Sequence, residues 1–114
     1  MKYDYQFRTI DFGQFGKDLI IVLPKEIEIV TTFLNSDIQS DGRSFLNVID
    51  KVLSGQEEYQ EFGGNVCILQ ISREKTKVLD GLADDGIGNC CEIETNELKE
   101  LILLWLKEQE NFSR

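Results

Sequence analysis

One segment, residues 63–105, GGNVCILQISREKTKVLDGLADDGIGNCCEIETNELKELILLW, constrains the fold more than any other. Within it, residues 66–71 put Cys67, Leu69 and Ile71 on one face and Val66 and Ile68 on the other, the pattern of a strand inside a sheet. Gly63, Gly64 and Asn65 form a hairpin signal joining it to a strand over 57–62, where Tyr59 and Glu61 share a face. The turn at 73–75 is too short for a crossover, so residues 76–80 return antiparallel. After the loop LADDGIGN, residues 90–94 alternate again, with Cys91 and Ile93 inward and Cys90, Glu92 and Glu94 outward. Thr95 then opens a helix as its cap. Leu98, Leu101, Ile102 and Trp105 form the helix's apolar stripe, widened by Leu103, Leu104 and Leu106.

Upstream, Tyr3, Tyr5 and Phe7 share a strand face, but Ile10 and Phe12 fall out of phase, which predicts a bulge near 8–10. Residues 18–23 read as a short central strand. Pro24, Glu26 and Glu28 suit a helix start, and Ile27, Val30, Phe33 and Leu34 give it a face; the β-branched run at 27–32 leaves a strand as the alternative. Residues 35–42 read as a polar loop. Asp41 or Ser44 caps a second helix running to about Leu53, with Gly55 at its C-terminal end, and residues 111–114 fray. The expected class is α+β: a mostly antiparallel sheet of five or six strands packed with two or three helices, the C-terminal helix included, in a single domain over 1–114.

Charge narrows the function classes. The chain carries 21 acids against 12 bases, a net of −9. Nucleic acids and anionic membranes need a basic footprint, so neither is an expected partner; a basic protein is. With no histidine, neither histidine acid–base catalysis nor a histidine-activated nucleophile is available. Three cysteines without a CxxC pair read as reduced, buried thiols rather than a zinc site, and no secretory signal is evident at the start. The expected compartment is the cytoplasm, with no cofactor and no bound metal.

Carboxylates are the remaining chemistry. Residues 80–100 hold seven of them against Lys99 alone, a net of −6. Asp80, Asp84, Asp85, Glu92 and Glu94 are candidate partner-binding residues on that stretch, and Glu57, Glu58, Tyr59 and Glu61 form a second acidic patch with an aromatic anchor. Two other uses of these acids compete. Glu92 and Glu94, about 7 Å apart on one strand face, fit a two-carboxylate hydrolase. Asp80, Asp84, Asp85 and Asn89 fit a calcium loop, without the regular spacing of an EF-hand. A small metal-binding or enzymatic domain built on the Asp84/Asp85 loop, or a regulatory interaction domain, is therefore the alternative to a binding protein.

The segments GNVCILQI, TKVLDGLADDGIGN and CEIETNELKELILLW, in that order, resemble small bacterial immunity proteins encoded beside polymorphic toxins of contact-dependent inhibition and related secreted-toxin systems. The likeness covers residues from about 40 to 106. It implies a non-enzymatic protein, monomeric or weakly dimeric, that binds and neutralises a cognate toxin domain, often a nuclease. Nuclease toxins hold nucleic acid and tend to be basic, which an inhibitor of charge −9 complements. The resemblance assigns no contact residues.

Overall fold

The computed structural model describes residues 2–81 and 90–112. Two strands, β1 (Gln6–Asp11) and β2 (Lys17–Val22), pair as an antiparallel hairpin. A single-turn helix at Lys25–Ile27 leads into α1 (Glu28–Phe33), a π-helical segment (Leu34–Ile38) and α2 (Gln39–Leu53). Four strands follow: β3 (Tyr59–Gly63), β4 (Cys67–Ser72), β5 (Lys75–Asp80) and β6 (Cys90–Glu94). They form an antiparallel sheet in the order β3-β4-β5-β6, and α3 (Thr95–Phe112) completes the described chain. The class is α+β, as expected.

The strand pattern of the 63–105 segment is realised. Cys67, Leu69, Ile71, Thr76, Val78 and Ile93 are fully buried on one face of the four-stranded sheet. All three helices contact strands of this sheet. Leu98, Leu101, Ile102 and Trp105 are fully buried, so the α3 stripe belongs to the core. The Thr95 hydroxyl donates to the Ser72 carbonyl at 2.6 Å; its proton being committed there, it accepts from the Thr76 hydroxyl at 2.8 Å. The first residue of α3 is thereby tied to β4 and β5. Phe33, Phe45 and Phe62 form an edge-to-face chain with centroids 4.9 and 4.8 Å apart, joining α1, α2 and β3. Gly55, at φ +84°, sits one residue beyond the Ser54 C-cap of α2, the left-handed position that favours glycine.

Four expectations are corrected. The β1–β2 register runs unbroken from Gln6↔Val22 to Asp11↔Lys17, so there is no bulge. Ile10 and Phe12 leave the alternation because this end of the hairpin has no buried face to keep in phase with. The second strand is not central: it belongs to a two-stranded sheet, its Leu19 and Ile21 are buried, and it contacts α3 and the π-helical segment. Asn111 and Phe112 continue α3 instead of fraying, while residues 113–114 of that reading lie outside the described residues. The stretch 27–34 resolves as helix, the first of its two sequence readings.

The fourth correction carries the most consequence. Residues 35–42 are helical, not a loop, with one break at Asp41 (φ −156°, ψ 64°). There Asp41 Oδ1 accepts the Ser44 N–H at 3.4 Å, restarting the helix as an N-cap. The polar side chains that suggest a loop bond the two sheets instead. The Asn35 amide pairs with the Ile21 backbone, accepting its N–H at 3.4 Å and donating to its carbonyl at 3.3 Å. The Asp37 carboxylate, only 2% exposed, accepts the backbone N–H groups of Asn65 (2.7 Å), Val66 (3.0 Å) and Cys67 (2.7 Å). Gly64 makes room for it, because a Cβ there would lie 2.6 Å from Asp37 Oδ2.

Replacing Asp37 by Ala would strand three donors of the β3–β4 turn. The expected loss is about 2–5 kcal/mol of folding stability in urea unfolding, and Gly64→Ala, which forces the carboxylate aside, should also destabilise. A loss below about 1 kcal/mol for Asp37→Ala would show that water takes over the donors and that the contact does not organise the turn.

Candidate functional site

Helices cover one face of the four-stranded sheet, and the strand register sets what the other presents. Tyr59 pairs with Ser72, and Lys75 with Glu94. One step along, Glu61 pairs with Gln70, Gln70 with Lys77, and Lys77 with Glu92. Next come Gly63, Ile68, Leu79 and Cys90. Of these, Gln70, Ile68, Leu79 and Glu94 are half-buried and the rest exposed. The outward face is therefore polar and charged over two of its rows and apolar over the third, with carboxylates at its two rims, on β3 and β6, about 14 Å apart by strand spacing.

Part of each patch inferred from the sequence lies on this one face, Tyr59 and Glu61 of one and Glu92 and Glu94 of the other. Tyr59, 49% exposed, and Glu61 stand on the β3 edge, and the Tyr59 hydroxyl donates to Glu61 Oε2 at 3.2 Å. Glu57 and Glu58 are exposed just before that strand, lining a shallow cleft with Val52, Gly55 and Arg73. Glu92 and Glu94 occupy the β6 edge. Asp80 lies apart from this row. It ends β5 in step with the inward-facing Thr76 and Val78, is half-buried, and its charge acts on the Cys67 thiol. Asp84 and Asp85, and with them the candidate calcium loop, lie outside the described residues.

Counting charge along the chain missed the cations that the sheet inserts. Lys75 and Lys77 on β5 stand opposite Glu94 and Glu92, with Lys75 Nζ 3.9 Å from Glu94 Oε1. Lys2 Nζ makes an ion pair with Glu94 Oε2, and the Tyr3 hydroxyl donates to Oε1 at 2.5 Å. The Lys2 backbone N–H also donates to Glu97 Oε2 at 3.1 Å. Glu94 thus clasps the N-terminal segment to the sheet edge. Hydrogen bonds from Lys2 and then Tyr3 hold its carboxyl down at about 2, while burial and the same contact push the Tyr3 hydroxyl up to about 12. The succession of β5 and β6 was legible, but the nine residues between them leave the register, and so Lys77 beside Glu92, to the fold. Nothing local marks Lys2 and Tyr3, 92 and 91 residues away from Glu94.

The thiols divide by position. Cys67 is fully buried, and burial, with the Asp37 and Asp80 charges behind it, pushes its thiol up to about 12. Cys91 is half-buried and raised to about 11, again chiefly by burial. Cys90, on the outward face, is exposed, and all three are unpaired. Among the described residues no cluster of three or more acids and cysteines could hold a metal ion, and no helix is long and apolar enough to cross a membrane.

Compared with known proteins, the chain is 42% identical over 114 residues to a Bacillus cereus protein named "Immunity protein". The alignment spans 100% of this chain and 94% of that one. No protein-family model matches the chain, and no solved structure does.

Two outcomes follow from this geometry. The folded Glu94 carboxyl sits below its ordinary value of 4.5, so its clasp stabilises the fold fully above that pH and is lost as the pH falls from 4.5 through about 2. In thermal unfolding, the parent should exceed Glu94→Gln by a constant margin near neutrality, and the margin should close over that acid window; a margin unchanged down to pH 2 would refute the clasp. For the thiols, a small disulfide reagent at neutral pH should label Cys90 quickly and the other two only after unfolding. Rapid labelling of all three would contradict the burial of Cys67 and Cys91.

Proposed function

The chain belongs to the same family as the Bacillus cereus immunity protein, and from that premise we propose that it binds and neutralises a cognate toxin domain of a polymorphic secreted-toxin system. The full-length identity carries this reading. In it, the protein acts in the cytoplasm of the producing cell, by occupancy and without turnover. The toxin is a basic, nuclease-type domain, and the surface it meets is the outward face of the four-stranded sheet with its rims.

Two properties support the sheet face as the docking surface. Two of its rows, through Ser72 and Lys75 and through Gln70 and Lys77, are polar and suited to hydration in the free protein. It also carries carboxylates at both edges, Glu57, Glu58 and Glu61 on one side and Glu92 on the other. An overall charge of −9 raises the encounter rate of a cationic domain, while Lys75 and Lys77 within the face restrict which arrangements of toxin cations fit. Long-range charge sets the rate of encounter, and the pattern selects among toxins. Glu94 serves such a face indirectly, since Lys2, Tyr3 and Lys75 already satisfy it.

The test is association with the toxin domain encoded by the neighbouring gene, measured at two salt concentrations. Association should slow as salt rises and the Debye length shrinks to about 8 Å near physiological ionic strength. Glu61→Gln, Glu92→Gln, Asp84→Asn and Asp85→Asn should each slow it further, and a carboxylate buried against a toxin Arg or Lys should raise the off-rate, at a cost of about 2–5 kcal/mol. If all four variants bind and protect cells like the parent at both salt concentrations, recognition does not use these carboxylates.

A further inference from the structure

From Arg8 to Asp18, eleven consecutive residues are exposed, although they form an ordered hairpin end with continuous register. Only the base of the hairpin is fastened. Phe7 stacks on Trp105 with centroids 6.2 Å apart, Ile21 is fully buried, and the Asn35 amide brackets the Ile21 backbone. Beyond Leu19 the two strands pair with each other, and among the described residues nothing buries them. A two-stranded hairpin is marginally stable on its own, so this projection is unusual in a small protein. The overall shape reflects it: a radius of gyration of 14.3 Å, against about 13 Å for a compact globule of this length.

The tip carries exposed apolar side chains on a hydrogen-bonded turn. Phe15 is 83% exposed, Phe12 52%, and Ile10 stands beside them on β1. The turn between the strands closes through Phe12 N–H to the Gly16 carbonyl (2.7 Å), Gly16 N–H to the Gly13 carbonyl (3.0 Å) and Gly13 N–H to Asp11 Oδ1 (2.8 Å). Gly13 (φ +65°) and Gly16 (φ +90°) take backbone conformations that other residues resist. Aromatic side chains on a fixed turn lose little conformational entropy when another surface closes on them, the property of an interface anchor.

We propose that the β1–β2 hairpin is a docking arm whose tip, Phe12 and Phe15 flanked by Ile10, inserts into an apolar pocket of the toxin domain. The inference rests on the toxin-binding reading above and names a second contact within it. Charge selects the occupant. The arm carries Arg8 and Lys17 against Asp11 and Asp18, so it is neutral on a chain of net −9. A second copy of the chain would bring its own −9 against the first, which opposes self-association, whereas a cationic toxin drawn to the acidic body meets no such barrier. Steering then belongs to the carboxylates and anchoring to the arm.

The experiment uses the full chain and, as probe, the toxin domain encoded by the neighbouring gene. Phe12→Ser and Phe15→Ser should keep the parent's melting temperature, since both side chains are exposed. Each should weaken toxin binding at least about tenfold, mainly through faster dissociation and with an unchanged salt dependence; Phe15→Leu should recover most of the loss. Parent-like binding by both Ser variants, while the parent still binds, overturns the arm and leaves the immunity reading standing. A parent that does not bind at all overturns that reading and the arm with it. A clear drop in melting temperature would place the tip in the fold, and a parent dimer that these variants dissolve would make a second copy the occupant; either result overturns the proposal.

Discussion

The carboxylate of Asp37 is the contact on which the arrangement of the sheet depends. It is buried, it comes from the π-helical segment between α1 and α2, and it receives three successive N–H groups of the β3–β4 turn. A buried charge is tolerated only where hydrogen bonds replace the water it has lost, and three convergent donors do that here. The geometry runs both ways. The turn must present Asn65, Val66 and Cys67 toward the helical layer, and Gly64 must lack a side chain for the carboxylate to approach. Two residues earlier, Asn35 treats β2 similarly, so one polar stretch of helix fastens both sheets.

Fixing that turn fixes the register of β3 on β4, and the short turn to β5 carries it onward. Register decides which charges become neighbours. Glu61 and Glu92, on opposite rims, are joined through Gln70 and Lys77 in a single row across the sheet, and Lys75 lies beside Glu94. The face is thus acidic at its edges and mixed within. A uniformly acidic surface would attract any cation; a mixed one penalises a partner whose charges fall out of step.

The two ends of the chain's N-terminal region behave differently for the same reason. Lys2 and Tyr3 have the Glu94 carboxylate to meet, and the segment lies down along the β6 edge. The hairpin that follows is fastened only where Phe7, Ile21 and Asn35 reach the helices. Past that point none of the described elements buries Ile10, Phe12 or Phe15. Apolar side chains stay in water there because the turn holds them clear of the body.

Periodicity alone specified β3 to β6, the buried stripe of α3, the hairpin turn at Gly63–Asn65 and the cap at Gly55. Those features are local: alternation, helical spacing and glycine conformations depend on near neighbours. The same signals misread 35–42, where Asn, Ser and Asp suggested a loop. Asp37 instead bonds residues 28 to 30 positions away, and composition cannot reveal a partner that distant. The apolar run of β2 showed that it would be buried but not against what, so a hairpin strand read as a central one. Likewise the count of −6 over residues 80–100 was correct as a sum, yet Lys75 and Lys77 stand beside those acids only because β5 pairs with β6. Sequence determined which residues leave water and which elements they form. Tertiary structure decided which charges meet and which apolar side chains remain uncovered, because both depend on distances between elements that no local pattern encodes.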